Sequence, residues 1–270
     1  MKISIDNLNF HIIDEGKGET IVLLHGFTGN ALTWESFINK WSSSYRIIAI
    51  DLIGHGESSK PADASLYTME AMSRFLKEIL DICRLDHVHL LGYSMGGRLA
   101  LSFAMQYPSY VKTLLLESSS PGLRTVEERE ERIRKDYALA RKILDEGMLE
   151  FVSYWETIPL FSSQQHLSEA LKSELREQRI TNSEVGLANS LIGMGTGAQP
   201  SYWESLHELG IPVLLLTGEY DNKFISIAKR MASAIPRADI VQINDAGHTI
   251  HVEQTQIFDK MVVAFLEKHV

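Results

Sequence analysis

The sequence predicts a doubly wound α/β fold with a mostly parallel sheet, and three observations predict it. Short apolar runs end repeatedly in glycine-containing turns. Amphipathic helical stretches fall between those runs. A strand-free polar segment, from about Gly122 to Ser201, interrupts the alternation once.

The elements follow in order. Lys2–Asp6 and Leu8–Asp14 alternate in polarity on either side of Asn7, which reads as an antiparallel hairpin. Ile21–Leu24 has no polar interruption and ends in the turn His25-Gly-Phe-Thr-Gly29, as expected of a strand covered on both faces. The same pattern recurs at Tyr45–Ile50, Val88–Gly92, Val111–Leu116 and Pro212–Thr217, and in alternating form at Asp239–Asn244, which completes an eight-stranded sheet. Tyr67–Cys83 places Met69, Met72, Phe75, Leu76, Ile79 and Leu80 on one helical stripe. Met95–Tyr107 and Gln254–Lys268 are the other clear helices, and right-handed crossovers put helices on both sheet faces. The polar segment is then an inserted helical cap at 122–204, with the core formed by 1–121 and 205–270. No internal repeat or Gly/Ser-rich linker divides the chain further.

Composition narrows the function. The 270 residues are 44% hydrophobic and 23% charged, ordinary for a globular protein. The charge balance, 26 basic against 35 acidic residues, gives −9 and disfavours nucleic acid or an anionic membrane as partner. No apolar run reaches the length of a membrane span, and the opening MKISIDNLNF carries no signal-peptide core. The single cysteine, Cys83, excludes an intrachain disulfide and fits a reducing compartment, so a cytoplasmic protein is expected. There is neither H-E-x-x-H nor Cys/His metal spacing, and no G-x-G-x-x-G follows the first strands. Neither metal nor cofactor is expected.

The chemistry-bearing signal is Gly92-Tyr-Ser94-Met-Gly96, a G-x-S-x-G motif between a strand and a helix. In that setting the serine sits on a strained turn with its hydroxyl at a helix N-terminus. Such a serine needs a base, and the base needs a carboxylate, in the chain order Ser, acid, His. Asp221, after the strand 212–217, and His248, after the strand 239–244, satisfy that order on the sheet edge where α/β ligands bind. Glu219 and Asp245 are rival acids; His251 is the rival base, better suited to packing. Backbone N–H groups of Met95 and Phe27 are the candidate oxyanion donors. Asp51, in Asp51-Leu-Ile-Gly-His-Gly-Glu-Ser58, is expected to brace the loop. Arg98, one turn after Ser94, is either one half of a buried ion pair or a fork for a substrate carboxylate. Seven of the 13 arginines lie in the helical segment, where Glu128–Arg132, Glu130–Arg134 and Glu131–Lys135 have the spacing of surface pairs.

The motifs LHGF at 24–27, DLIGHGES at 51–58, GYSMGG at 92–97, GEYD at 218–221 and AGH at 246–248 resemble the α/β-hydrolase superfamily across the whole chain. GYSMGGRLAL at 92–101, ESSSPGL at 117–123, YWETIPLF at 154–161 and GMGTGAQPSYW at 193–203 resemble, more narrowly, the SHCHC synthases of the menaquinone pathway. That resemblance implies a lyase that eliminates pyruvate from a small tricarboxylate, 2-succinyl-5-enolpyruvyl-6-hydroxy-3-cyclohexene-1-carboxylate. It implies Ser94, Asp221 and His248 as the triad, Arg98, Arg132 and Arg179 as carboxylate contacts, and Tyr93 and Trp155 as pocket wall. The other five cap arginines stay surface residues. The pattern departs at Ile192, where that family often carries a basic residue, which puts one carboxylate contact in question. The alternatives are a serine hydrolase of esters or C–C bonds using the same triad, and a non-catalytic binding module.

Overall fold

Uninterrupted apolar strands need cover on both faces, and the computed structural model, which describes residues 1–269, provides it. The strands are β1 (Lys2–Ile5), β2 (Leu8–Glu15), β3 (Thr20–Leu24), β4 (Arg46–Ile50), β5 (Val88–Tyr93), β6 (Val111–Glu117), β7 (Val213–Gly218) and β8 (Ala238–Ile243). They form one sheet in the order β1-β2-β4-β3-β5-β6-β7-β8. The pairs β1–β2 and β2–β4 are antiparallel and the others parallel. The expected hairpin and mostly parallel sheet are therefore present, with strand ends within a residue or two of those anticipated.

The helices are α1 (Glu35–Trp41), α2 (Met69–Ile82), α3 (Met95–Gln106), α4 (Val126–Trp155), α5 (Glu169–Ile180), α6 (Glu184–Met194), α7 (Asn222–Ala234), the short α8 (Ile250–Glu253) and α9 (Thr255–Glu267). Because strand side chains alternate, each central strand feeds two cores. Val22 and Leu24 join Phe75, Leu99 and Met231 on the face covered by α2, α3 and α7. Ile21 and Leu23 join Trp34, Phe258 and Val262 on the face covered by α1 and α9. Helices α1 and α7 are additions to the sequence reading. The predicted start of α2 at Tyr67 falls in a 3₁₀ turn, and the helix proper begins after Thr68, whose hydroxyl caps the Ala71 N–H. No helix among the described residues is long and apolar enough to cross a membrane.

Between β6 and β7 the chain forms α4, α5 and α6, with a small apolar core of their own from Ile143, Phe151, Leu187 and Leu191. Ile192 packs against that core, which accounts for an apolar residue there. The charge pairs depart from expectation. Glu128 bends back to accept the Thr125 N–H in a capping box, and Arg132 pairs instead with Asp136, Nε to Oδ1 2.8 Å. Only Glu131–Lys135 forms as spaced; among the described residues Glu130 and Arg134 make no ion pair.

The helical region meets the core at two glycines. A Cβ on Gly186 would stand 2.0 Å from the Gly54 carbonyl oxygen, and Gly54 itself has φ +83°. Gly186→Ala is expected to destabilise the protein by about 1–3 kcal/mol through forced separation of the two layers, measured by urea unfolding. An unchanged midpoint would mean the joint is loose.

Candidate active site

The geometry starts from one strained residue. Ser94 follows β5 at φ +49°, ψ −106°, and its N–H donates to the Glu117 carbonyl on β6 at 2.8 Å. The turn is possible because its flanks are bare: a Cβ on Gly92 would lie 2.4 Å from the Gly96 carbonyl oxygen, and one on Gly96 would lie 2.3 Å from that of Leu24. Helix α3 starts at once, so Ser94 is its N-cap and its hydroxyl remains free for other work.

That hydroxyl lies 3.0 Å from His248 Nε2, and His248 Nδ1 lies 2.6 Å from Asp221 Oδ2. His248 is 1% exposed and Asp221 7%. With its Nδ1–H donated to the carboxylate, the imidazole presents Nε2 as acceptor to the serine O–H. The other Asp221 oxygen accepts the Phe224 N–H at 3.3 Å, so the acid also caps α7 and is held from two sides. The rival acids are engaged elsewhere: Glu219 accepts the Asp245 N–H, and Asp245 accepts the Tyr220 hydroxyl. His251 is fully buried against Glu117, whose carboxylate accepts both its backbone N–H and Nδ1.

Ser94 and His248 open onto a cavity of about 390 Å³ between the sheet edge and the helical region. Of the residues singled out from sequence, Phe27, Tyr93, Met95, Arg98, Arg132 and Trp155 line it. Neither the Phe27 nor the Met95 N–H has an acceptor among the described residues, as oxyanion donors require. Trp155 stacks on Phe151 and meets the edges of Phe27 and Phe161. Its buried Nε1 likewise lacks a partner among the described residues. Tyr93 is anchored by Thr249, O to O 3.0 Å, and its ring faces both His248 and His251. Burial pushes its phenol well above the ordinary range.

The basic residues divide. Arg98 donates to the Met194 carbonyl at 2.6 Å and to Gln199 Oε1 at 2.9 Å, both neutral, so the buried ion pair considered from sequence is absent. Burial pulls its pKa down to about 9, with Arg132 adding to the effect and Asp136 opposing it. A half-buried cation that touches no carboxylate of its own gains from a ligand carboxylate. Arg132 is half offset by Asp136, whose own pKa burial raises. Arg179 does not line this cavity: it donates to Glu156 Oε1 and Gln164 Oε1, with its guanidinium over the Phe161 ring. It lines instead a neighbouring cavity of about 600 Å³ that shares Phe27, Tyr93 and Phe161 as a wall. Sequence reasoning passed over Lys223 and Ser120, which do line the Ser94 cavity; Lys223 lies two positions after Asp221.

Beneath the site, Asp51 takes the structural part expected of it, accepting the Ala31 and Glu57 N–H groups at 2.6 and 2.8 Å. Nearby, His25 accepts the Leu52 N–H at Nε2 and holds Gly26 through Nδ1, and its ring packs on His55.

A family profile described as the alpha/beta hydrolase fold matches residues 19–255. The chain belongs to this α/β-hydrolase family. A Bacillus subtilis (strain 168) member, provisionally named 2-succinyl-6-hydroxy-2,4-cyclohexadiene-1-carboxylate synthase, is 48% identical over 97% of this chain and 96% of its own. A Klebsiella pneumoniae protein carrying the same synthase name is 32% identical over 86% and 87%. The structure of MenH from S. aureus superposes with a TM-score of 0.92 at 37% identity, covering 96% of this chain and 98% of its own. The α/β-hydrolase fold also relates the chain to a thermophilic esterase from Thermogutta terrifontis, solved with malate bound. That match has a TM-score of 0.86 at 28% identity and covers 100% of this chain and 99% of the esterase.

The loops of this α/β-hydrolase carry a pH signature. Burial lowers the pKa of His25 to about 4 and of His55 to about 3, from an ordinary 6.5. The unfolded chain therefore takes up protons first as pH falls, so the stability from these neutral rings is complete above about pH 6.5 and lost progressively down to about pH 4 for His25 and about pH 3 for His55. Denaturant midpoints measured across that window are expected to fall, by up to about 1.4 kcal/mol per pH unit for each ring. His55→Phe is expected to flatten the slope; a profile already flat in the parent protein contradicts the assignment.

Proposed function

We propose that this enzyme is an SHCHC synthase, eliminating pyruvate from 2-succinyl-5-enolpyruvyl-6-hydroxy-3-cyclohexene-1-carboxylate to give 2-succinyl-6-hydroxy-2,4-cyclohexadiene-1-carboxylate in menaquinone biosynthesis. The observation that carries it is the coexistence in one cavity of a serine–imidazole–carboxylate relay and a half-buried guanidinium, Arg98, that bonds no carboxylate. The synthase names of the relatives support the same activity.

The chemistry needs a base, a cradle for negative charge and a site for carboxylates. Asp221 holds the imidazole of His248 in one tautomer, and His248 withdraws the Ser94 proton, making Oγ basic. Oγ removes the ring proton α to the succinyl carbonyl. The freed electron pair forms the 2,3 double bond, the 3,4 double bond shifts to 4,5, and the C5–O bond breaks with the enolate of pyruvate as leaving group. His248, carrying the proton, returns it to that enolate. The Phe27 and Met95 N–H groups face the charge that develops on the succinyl oxygen. Serine is a base throughout, so no acyl-enzyme forms. Arg98 and Arg132 take carboxylates, Tyr93 and Trp155 shape the wall, and residues 122–204 act as a cap over the core of 1–121 and 205–270. Arg179, which resemblance alone nominates, would need to leave Glu156 to reach the substrate. A cytoplasmic location fits the small charged substrate and the lone thiol, Cys83.

Pyruvate release measured with the enolpyruvyl substrate tests the assignment. Ser94→Ala is expected to lose about 10²–10⁴-fold in turnover. Arg98→Ala and Arg132→Ala should each raise KM about ten- to a hundredfold, the worth of a hydrogen bond to a charged group. Arg141, whose side chain is 81% exposed, should be replaceable by Ala without effect. Near-normal release by Ser94→Ala would overturn the mechanism, and a burst of acyl-enzyme on an activated ester, with no pyruvate formed, would favour a hydrolase.

A further inference from the structure

Four basic residues line the Ser94 cavity: Arg98, Arg132, Lys135 and Lys223. Three have protein partners. Arg98 holds Met194 and Gln199, Arg132 holds Asp136, and Lys135 holds Glu131. Lys223, among the described residues, has no hydrogen-bond or ion-pair partner; the contact recorded for its ammonium is the ring of Phe224, 5.3 Å away.

Helix electrostatics do not favour a cation there. Lys223 is the second residue of α7, and the first turn of a helix carries partial positive charge that disfavours a further one. The position is nevertheless tightly specified. Asp221 caps α7 through one oxygen and binds His248 through the other, so the turn that presents the triad acid presents the Lys223 side chain too. The next residue, Phe224, packs its ring 4.7 Å from that of His248. Lys223 is exposed at the cavity mouth, where partial desolvation and the nearby charge of Arg132 hold its pKa below the ordinary lysine value, with Asp221 opposing and Arg98 adding slightly. Three cations that repel one another across one small space are tolerable when a polyanion sits among them.

We infer that Lys223 is a specificity-determining residue that binds a second carboxylate of a polycarboxylate substrate, beyond the one taken by Arg98. This rests on the lyase assignment above and extends it: an unpaired ammonium beside the relay reads the number of carboxylates on the ligand. Its role is binding, so it acts mainly on KM.

The test is steady-state pyruvate release by Lys223→Gln and Lys223→Arg, with Lys229→Gln, on α7 but outside the cavity lining, as control. Lys223→Gln is expected to raise KM about tenfold, as expected for loss of one charge-assisted bond, with kcat within about twofold, and Lys223→Arg to recover most of that loss. Its melting temperature should equal or exceed that of the parent protein, because a cation leaves a helix N-terminus; a residue kept for folding would lower it. Titration calorimetry with benzene-1,3,5-tricarboxylate separates this inference from the lyase assignment: weaker binding by Lys223→Gln supports it even if no pyruvate appears. An unchanged KM and unchanged tricarboxylate affinity, a fall in kcat at constant KM, or a loss that arginine fails to restore would overturn it.

Discussion

A serine held at positive φ is the constraint on which the rest of the molecule depends. A β-strand can deliver a side chain above a sheet edge only by turning sharply, and the turn from β5 into α3 brings backbone so close to backbone that Gly92 and Gly96 leave no room for a side chain. Strain of this kind costs on the order of 1–3 kcal/mol and survives only where surroundings enforce it. Here they do: β5 is buried on both faces and paired on both sides, with β3 and β6. The two deep cores stabilise the sheet, and the sheet holds the turn.

Charge is the second organising element. The protein has an overall excess of acid, yet its central cavity collects arginine and lysine. Arg98 rises from the same helix that Ser94 caps, so its distance from the hydroxyl is set by one helical turn. Arg132 comes from α4 and is paired with a single acid, Asp136. The core thus supplies the relay and one cation, while the helical region supplies another.

Much of this was legible in the sequence because local signals and tertiary outcome agree. Apolar runs of β-strand length, several ending at glycine, could be placed to within a residue or two, and motif and chain order put Ser94, Asp221 and His248 forward together. What escaped was contact between distant segments. The spacing of Glu128 and Arg132 suits a surface pair, but the demand of unpaired N–H groups at the start of α4 drew Glu128 away. Arg179 belongs to a helix whose pattern says it is surface, and no spacing rule tells that Glu156 and Gln164 would claim it behind Phe161. Lys223 carried no local cue because its meaning depends on which cavity α7 borders. The partner of a half-buried cation such as Arg98 is likewise a three-dimensional fact: here it is carbonyl oxygen, where carboxylate was equally compatible with the sequence.

Glu117 ties the two sides of the site together mechanically. Its carbonyl receives the Ser94 N–H while its carboxylate grips the backbone and ring of His251, three residues beyond His248. Both ends of the proton wire are therefore moored to one bollard at the tip of β6. A shift of this strand would therefore carry the serine turn and the histidine loop along together.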